Sequence, residues 1–489
     1  MQLGFVIDHT RCIGCHACTV ACKAENDVPL GSFRTWVKYT ERGDFPQVRR
    51  SFAVLRCNQC TDPPCVTICP VGALGKRRDG IVDIDPQRCI GCKSCLHGCP
   101  YDALYINDST GLAEKCHFCA HRSEIGLAPA CAVVCPTEAI VPGDFDDPRS
   151  HVARLAAEGG LEVRKPEAGT GPNVRYREVD RAGIDPLETN AAGGFLWAEQ
   201  LPGARLDAAR FEAVERPSAA RTTYDVEHPP AWGAAITGYL FAKSIAAGAF
   251  LAAIPWLGPS AGGSPAAARP ALAAVLLALA ALAATGALLI ADLKRPERFW
   301  FLLRYGNPSS WLVRGTWVLI GYGALLVVWL LLLGTGNVPS APLGPWLVVA
   351  TSLLAALTAC YTAFLFAQAR GRVLWMGRGL WLGLLAHAAI AGGAALIPLA
   401  AALGSGLETI APLRRLLVVG LLVHLSLSLA ERAFAPRGRE EEYRRAVRLV
   451  SHGPFARAHW WIGVGAGVVL PIALLVVPSS PAAWTAASV

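Results

Sequence analysis

The sequence predicts two joined folds: an α+β domain built around metal sites, followed by an all-α bundle of membrane-spanning helices. Two observations predict this. Sixteen of the seventeen cysteines lie between Cys12 and Cys135, in a segment without long apolar runs. Beyond Pro230 the chain consists largely of long apolar stretches, which account for its hydrophobic content of 53%. The two halves therefore need separate interpretations.

The charge distribution also divides the chain. Residues 1–230 carry 26 Lys and Arg against 30 Asp and Glu, whereas residues 231–489 carry 19 against 7. The formal net charge of +8 thus arises in the apolar half. Because no basic, aromatic-rich face is visible in the polar half, we expect no nucleic-acid partner.

The cysteines form four runs, and three of them end in Cys-Pro. The first and third runs share the spacing C-x2-C-x2-C-x3-C. The runs are Cys12, Cys15, Cys18, Cys22; Cys57, Cys60, Cys65, Cys69; Cys89, Cys92, Cys95, Cys99; and Cys116, Cys119, Cys131, Cys135. This spacing is typical of cubane clusters, in which three thiolates come from one tight loop and the fourth from elsewhere. It predicts four [4Fe-4S] clusters.

Zinc and disulfides are the alternatives for these cysteines. Four cysteines within eleven residues, twice over, exceed what a tetrahedral zinc site needs. The first run begins at residue 12, so we expect no export leader and hence reduced, metal-bound thiolates. Gly14 and Gly91 suit loops that wrap a cluster closely. With few apolar runs in this domain, we expect the apoprotein to be largely unfolded.

Residues 1–180 resemble the four-cluster ferredoxin-like electron-transfer subunits of dimethyl sulfoxide reductase, polysulfide reductase and related molybdenum enzymes. Besides the cysteines, the similarity includes the Pro-Pro-Cys sequence at Cys65 and the segment PEAGTGPNVRY at Pro166–Tyr176. The resemblance implies a ferredoxin-like fold and exchange of ligands between runs. The implied sets are Cys12, Cys15, Cys18, Cys135 (site 1); Cys22, Cys116, Cys119, Cys131 (site 2); Cys57, Cys60, Cys65, Cys99 (site 3); and Cys69, Cys89, Cys92, Cys95 (site 4).

We predict a cluster domain at 1–185, a linker at 186–230 and a membrane domain at 231–489. The linker is rich in Ala, Gly and Pro and has no sustained period. Seven apolar runs are long enough to cross a bilayer, near 232–257, 270–291, 316–335, 346–368, 380–403, 413–431 and 459–477. The sixth run is the least clearly predicted membrane span.

Charge alternates between the loops of the membrane half. The loops after helices two, four and six hold fifteen basic residues, and the opposite loops hold only Arg269, Arg414 and Arg415. By the positive-inside rule the rich side is cytoplasmic, in the inner membrane of a prokaryote, and the cluster domain lies on that side. A periplasmic cluster domain is the alternative, because arginines that dock it would give the same count.

The membrane half resembles the multi-helix anchors of polysulfide reductase and the NrfD type. The similarity lies in AAGAFL at Ala246–Leu251, ADLKRPERFW at Ala291–Trp300, SWLVRGTW at Ser310–Trp317 and the Tyr361-Thr362 pair. Those anchors usually have eight helices, and this sequence ends where an eighth would start. The resemblance implies a bound menaquinone or ubiquinone on the cluster-domain side.

His228, Asp292 and Tyr361 are the candidate quinone ligands. All three fall on the predicted cluster-domain side, and they offer hydrogen bonds and a proton route. The alternatives are a linker residue for His228, an interfacial aromatic for Tyr361, and a helix-end partner of Arg295 for Asp292.

Lys243, His387 and His424 are candidates for a proton path. A cation near the bilayer centre is costly and often functional, and Lys243 could also be paired structurally. His387 and His424 could hold a b-haem, but the resemblance implies none, and no haem is expected. Cys360 is interpreted as a small buried apolar residue.

These features predict an electron-transfer and membrane-anchor subunit. Electrons would pass between the membrane quinone pool and a separate catalytic subunit, expected to be a molybdenum or tungsten bis-pterin enzyme. Two other hypotheses stay open: a proton-translocating module driven by the clusters, and a passive anchor for the relay. We find no residues in the chain for substrate chemistry beyond the quinone.

Overall fold

The structure is a computed structural model. It describes residues 1–43, 46–189, 196–197, 220–228, 231–257, 265–336 and 343–476. These residues form an α+β part that carries the sixteen cysteines and a helical part that follows it, as predicted.

The α+β part contains two four-stranded sheets and two hairpins. Its strands are β1 (Leu3–Asp8), β2 (Thr35–Arg42), β3 (Arg49–Arg56), β4 (Leu74–Lys76), β5 (Val82–Ile84), β6 (Leu104–Asn107), β7 (Leu112–Lys115), β8 (Ile140–Asp144), β9 (Leu161–Glu162), β10 (Val174–Arg177), β11 (Leu196–Trp197) and β12 (Ala220–Asp225). The sheet orders are β8-β1-β10-β9 and β11-β12-β2-β3, and the hairpins are β4-β5 and β6-β7. In the first sheet β1 runs parallel to β10, with Phe5 opposite Val174.

Short helices carry the cysteine runs. They are α1 (Ala17–Glu25), α2 (Pro64–Ile68), α3 (Ser94–Gly98), α4 (Ala120–Ser123) and α5 (Ala130–Val133), and α6 (His151–Glu158) and α7 (Arg181–Ile184) follow. The loop before α1 turns at Gly14 (φ +70°) and the loop before α3 at Gly91 (φ +65°), as the sequence predicted for loops that wrap a cluster.

The structure corrects the linker prediction for residues 220–225. They form β12, which pairs antiparallel with β2 and places Thr222 opposite Thr40. The strand contains Thr222, Thr223 and Tyr224, residue types that suit a pleated, half-buried surface. Most of the predicted linker lies outside the described residues, and the boundaries at 185 and 230 stay predictions.

The α+β part has two different cores. Around sites 1 and 2, β1 to β3 and β10 pack large apolar side chains that include Phe5, Trp36 and Tyr176. Around sites 3 and 4, eight of the seventeen buried core residues are cysteines. The half that contains the sheets therefore has an apolar core despite its few long apolar runs, which weakens the basis for expecting a largely unfolded apoprotein.

Seven helices in the described residues are long and apolar enough to cross a membrane, as predicted. They are α8 (Ala234–Leu257), α9 (Pro265–Ala291), α11 (Trp311–Gly334), α12 (Leu343–Gln368), α13 (Leu380–Ala402), α14 (Leu407–Leu429) and a π-helix (Ala458–Val469) that continues into α16 (Leu470–Val476). The short α10 (Phe301–Arg304) and the amphipathic α15 (Glu440–Ser451) lie in the connections. The question of an eighth helix concerns residues after 476, which lie outside the described residues.

Helix α8 is the centre of the membrane half. It packs against α9, α12 and α13, and 67% of its most apolar window is buried, a larger share than in the other six spans. At its crossing with α13, the backbones of Gly248 and Gly392 touch. A Cβ atom on Gly248 would overlap the carbonyl oxygen of Ala388, and one on Gly392 would overlap Gly248. Small residues at helix crossings let backbones approach in this way.

We expect the substitution Gly248→Ala to destabilise the membrane half by about 3 kcal/mol, because the added methyl group must push α8 away from α13. Gly286→Ala is the matched control, since Gly286 lies in α9 with no atom near its missing Cβ. Thermal unfolding in detergent, followed by circular dichroism, should show a lower midpoint for Gly248→Ala alone. Equal midpoints for the two variants would contradict the close crossing.

Candidate functional site

The structure groups the sixteen cysteines into the four sets that the resemblance implied. The thiols of site 1 line one small pocket, those of site 2 line another, and those of site 3 line a third. In site 4, Cys92 and Cys95 are close enough to Cys69 and Cys89 to interact electrostatically. Each set combines three cysteines from one run with a fourth from another.

The chemistry of these sets fits metal centres rather than disulfides. All the cysteines are free thiols. Burial raises the pKa of Cys18 to about 11 and that of Cys60 to about 12, so these sulfurs need a nearby positive charge to become thiolates. Polar hydrogens also point at sulfur: the Ala139 amide lies 3.3 Å from Cys135 Sγ, as in the donor shells that tune cluster potentials.

The membrane half holds the loops of site 4 directly. Side chains from that half donate hydrogen bonds to the carbonyl oxygens of three of its four cysteines. The donors are Asn307 Nδ2 to Cys69 (2.9 Å), Arg298 Nη1 to Cys89 (2.8 Å) and Trp232 Nε1 to Cys92 (3.2 Å). Site 4 therefore lies beside the membrane half, and its loops are fixed by that contact.

The basic loops of the membrane half also dock the cluster domain. At least six of their fifteen basic side chains bind it: Lys294, Arg295, Arg298, Arg370, Arg372 and Arg445. Docking is thus a second reason for the charge alternation, one that applies on either side of the bilayer. The positive-inside count alone does not choose the side.

Asp292 has a different partner from the one that the sequence suggested. Its carboxylate forms a 2.9 Å ion pair with Lys93 Nζ, and both side chains are nearly buried. Arg295, the predicted alternative partner, binds Glu297 instead. Lys93 precedes α3 between Cys92 and Cys95, so this pair joins the end of the second membrane helix to site 4.

A pocket lies where the two halves meet. His228 lines it together with Trp232, Phe366, Trp375 and residues of α8, and His97 and Arg372 complete it. Trp375 stacks on Phe366 with ring centroids 4.5 Å apart, and His97 lies 4.1 Å from Trp232. The pocket is therefore a mostly aromatic slot with a few polar groups, which suits a flat ring with oxygen substituents.

His97 supplies an unused hydrogen-bond donor at this pocket. Arg372 Nε donates to His97 Nδ1 at 3.1 Å, so the ring proton resides on Nε2. That Nε2 atom is buried and has no partner in the structure. Burial and the neighbouring Arg372 guanidinium lower the pKa of His97 to about 4, so the ring is neutral at pH 7. A ligand with an acceptor oxygen would satisfy the orphaned N–H.

Tyr361 is not among the residues that line the pocket with His228; it lies in a polar cluster between the membrane helices. Lys243 is fully buried there, donates to Thr362 Oγ1 at 2.6 Å and to the carbonyl of Ala359 at 3.0 Å, and lies 4.9 Å from the centre of the Tyr361 ring. Tyr239 lies close to Tyr361, Thr362 and Asp292. The cluster therefore extends from the Lys93–Asp292 pair into the bundle.

His387 and His424 form a pair of their own, with ring nitrogens 3.1 Å apart. This is a hydrogen-bond distance between α13 and α14. His387 is near enough to Lys243 for an electrostatic interaction. The absence of haem stays a prediction.

Sequence reasoning missed His97, Trp232, Arg372 and Trp375. His97 lies within the third cysteine run, whose spacing predicts a role for the cysteines only. A histidine between two cysteines assigned to different sites was nevertheless a visible signal, because such a residue lies on the stretch of chain that links the two sites.

The fold and the four cysteine sets define an iron-sulfur protein with a multi-pass membrane domain. A 4Fe-4S dicluster domain model matches residues 48–145, and the model for polysulphide reductase NrfD matches residues 223–488, more than half of the chain. The chain therefore belongs to the polysulphide reductase NrfD family and carries a 4Fe-4S dicluster domain.

Curated relatives are similar over part of the chain. A tetrathionate reductase subunit from Salmonella typhimurium is 45% identical over 202 residues, which cover 40% of this chain and 80% of the relative. The arsenate respiratory reductase iron-sulfur subunit ArrB of Shewanella is 36% identical, covering 36% and 96%. The thiosulfate reductase electron transfer subunit PhsB of Salmonella typhi is 43% identical, covering 35% and 90%. Both predicted resemblances are confirmed.

Proposed function

We propose that this chain passes electrons between a membrane quinone and a separate catalytic subunit through four [4Fe-4S] clusters. The observation that carries the proposal is the aromatic pocket between the two halves, whose wall includes His97. That residue lies between Cys95 of site 4 and Cys99 of site 3. A quinone ring in the pocket would thus contact the same loop that holds the clusters nearest the membrane.

The pocket offers both packing and polar contacts for such a ring. Trp232, Phe366 and Trp375 supply aromatic faces, and the N–H of His97 Nε2 can donate to a carbonyl oxygen. His228 lines the same pocket and also packs edge-on against Trp36 of β2, with centroids 5.2 Å apart. We propose His228 as a second polar contact of the quinone.

Quinone chemistry moves protons as well as electrons. The clusters would carry the electrons one at a time. The polar cluster of Tyr239, Lys243, Asp292, Tyr361 and Thr362 is our proposed source and sink of the protons. In this proposal Tyr361 and Asp292, predicted as quinone ligands, act on protons next to the pocket, and His228 contacts the ring.

The surface around site 1 is our proposed docking surface for the catalytic subunit. Around site 1, Ile13 is 58% exposed, Val20 64% and Val133 64%, and the helices α1 and α5 that carry the two valines pack together. The relatives named above are subunits of reductases. We propose that a molybdenum or tungsten bis-pterin subunit covers this apolar surface and exchanges electrons at site 1.

Localisation follows from the same arrangement. The chain is a multi-pass membrane protein, and we propose the inner membrane of a prokaryote with the cluster domain in the cytoplasm. Nine of the fifteen basic loop residues have no described contact with that domain, which leaves a residual bias for the positive-inside rule. If this orientation holds and the seven spans in the described residues are followed by no other, a reporter enzyme that works only outside the cytoplasm should be active when it is fused after Val489.

A soluble quinol analogue should reduce the clusters of the isolated protein. We expect His228→Ala to raise the KM for the quinol about tenfold, the effect of losing one hydrogen bond, and Tyr361→Phe to lower kcat by a similar factor. Anaerobic stopped-flow bleaching of the cluster absorbance measures both values. His151→Ala, at the exposed start of α6, is the matched control and should keep the wild-type rates.

Two results would contradict the proposal. If dithionite but not the quinol reduces the wild-type clusters, the helices are a passive anchor. If His228→Ala matches His151→Ala, the quinone does not use this pocket.

Proton translocation is a second candidate function. The observation that favours it is the continuation of polar groups from Lys243 towards the hydrogen-bonded His387–His424 pair, across α8, α13 and α14. Proton uptake from the far side during quinol turnover in proteoliposomes would support it. Uptake from the cluster side alone would exclude it.

A further inference from the structure

Arg56 is a fully buried cation between sites 1 and 2. It ends β3, and its guanidinium lies 4.4 Å from the centre of the Phe5 ring. One nitrogen, Nη1, donates to Cys131 Sγ of site 2 at 3.1 Å. The guanidinium also interacts electrostatically with Cys18 of site 1 and with Cys116 of site 2.

The other two nitrogens of Arg56 have no hydrogen-bond partner among the described residues. Nε and Nη2 are buried and make no hydrogen bond in the structure. Within the described residues, Arg56 also forms no ion pair with a carboxylate. An arginine cannot lose its proton in a protein, so this position holds a permanent, uncompensated charge in an apolar core, which is strongly unfavourable. A nearby anionic group must therefore balance the charge of the Arg56 guanidinium.

Two neighbouring buried cations, Arg34 and Lys115, have polar partners of a kind that Arg56 lacks. Arg34, which lines the same cavity at site 2, is paired with Glu114 at 3.0 Å. Lys115, buried near site 3, donates to the carbonyl oxygens of Val82 and Cys116. Arg164 also has two buried nitrogens without a hydrogen bond in the described residues, but it is 9% exposed. Full burial together with the hydrogen bond to Cys131 Sγ therefore distinguishes Arg56.

We infer that Arg56 donates N–H···S hydrogen bonds to the clusters of sites 1 and 2 and raises the reduction potentials of both. The inference rests on the proposed clusters at these sites. A cluster held by four thiolates is an anion and becomes more negative when it is reduced. A fixed cation therefore stabilises the reduced form more than the oxidised form. Arg56 thus sets the reduction potentials at the end of the relay that exchanges electrons with the catalytic subunit.

The test is a redox titration followed by electron paramagnetic resonance on the intact membrane protein. Arg56→Gln should lower two of the four midpoint potentials, so that the ratio of reduced to oxidised cluster falls at least tenfold at a fixed potential. This corresponds to about 59 mV for one electron. Arg56→Lys, which keeps the charge, should shift them less. The control is Arg149→Gln, because Arg149 is almost fully exposed and should shift none.

Each outcome decides the inference. A wild-type protein without four cluster signals would contradict the proposed function itself. Four wild-type clusters with no shift in Arg56→Gln, or an equal shift in all four, would overturn the role of Arg56 alone. If Arg56→Gln binds no iron at sites 1 and 2 but Arg56→Lys does, the need for a compensating cation is supported. If neither variant assembles, the residue acts through packing and the inference fails.

Discussion

Chelation of iron should unfold residues 57–116 of the cluster domain and leave both four-stranded sheets mostly folded. The sequence alone predicted that the whole apoprotein is largely unfolded, whereas the structure limits the unfolding to one segment. The difference arises because the structure gives the domain two cores of different composition.

The segment 57–116 depends on its clusters. Its core consists of eight cysteines and nine other residues, several of them alanines, and its strands form two hairpins of three and four residues per strand. Isolated two-stranded hairpins are marginal in water. Removal of iron breaks the thiolate–iron bonds that would join the cysteines of sites 3 and 4. Structural metal centres commonly contribute most of the folding free energy of small domains.

The sheets have a different source of stability. Phe5, Trp36 and Tyr176 are almost fully buried, and Arg42 of β2 forms an ion pair with Asp180, the residue before α7. Burial of large apolar side chains stabilises a fold by about 1.5–3 kcal/mol each. Only two cysteines are among the buried residues of this core.

Hydrogen exchange measured by mass spectrometry, before and after anaerobic chelation, checks this prediction. Protection in β4 to β7 should fall about a thousandfold, equivalent to roughly 4 kcal/mol, whereas β1 and β10 should change much less. Uniform loss of protection would show that the clusters hold the whole domain together. Unchanged protection in the hairpins would show that they fold without metal.

The sequence predicted the parts of this protein that depend on local pattern. Cysteine spacing predicted the four runs, and apolar runs predicted seven helices whose observed bounds differ from the prediction by only a few residues at most ends. Both signals are encoded within short windows, in the ligand geometry of a metal and the thickness of a bilayer.

The parts that the sequence did not predict depend on contacts between distant residues. β12 pairs with a strand about 180 positions earlier, and Lys93 reaches Asp292 across 199 positions. His97 becomes a candidate ligand contact only because Arg372 fixes its tautomer and Trp232 packs beside it in the same pocket. No window of local sequence contains such a pair, so spacing and hydropathy cannot reveal it.

Replacing Lys243 by Met should slow reduction of the clusters by quinol about a hundredfold, the lower end of what acid–base groups contribute. Lys243 is the fully buried cation of the polar cluster, hydrogen-bonded to Thr362 and lying over the Tyr361 ring. A buried ammonium without a described carboxylate partner is costly to keep between membrane helices. Because methionine has a similar length and no charge, the variant removes the proton-carrying group with little loss of packing.

Three measurements distinguish a proton role for Lys243 from a structural one. Reduction by dithionite, which bypasses the pocket, should stay at the wild-type rate in Lys243→Met. The solvent isotope effect on quinol oxidation should rise, because proton transfer becomes slower than electron transfer. Phe241→Leu, on the same helix with its ring 65% exposed, is the control and should change neither value. Wild-type quinol kinetics in Lys243→Met would exclude Lys243 from the proton route and leave it as a structural link between α8 and α12, since its hydrogen bonds to Ala359 and Thr362 already join those helices.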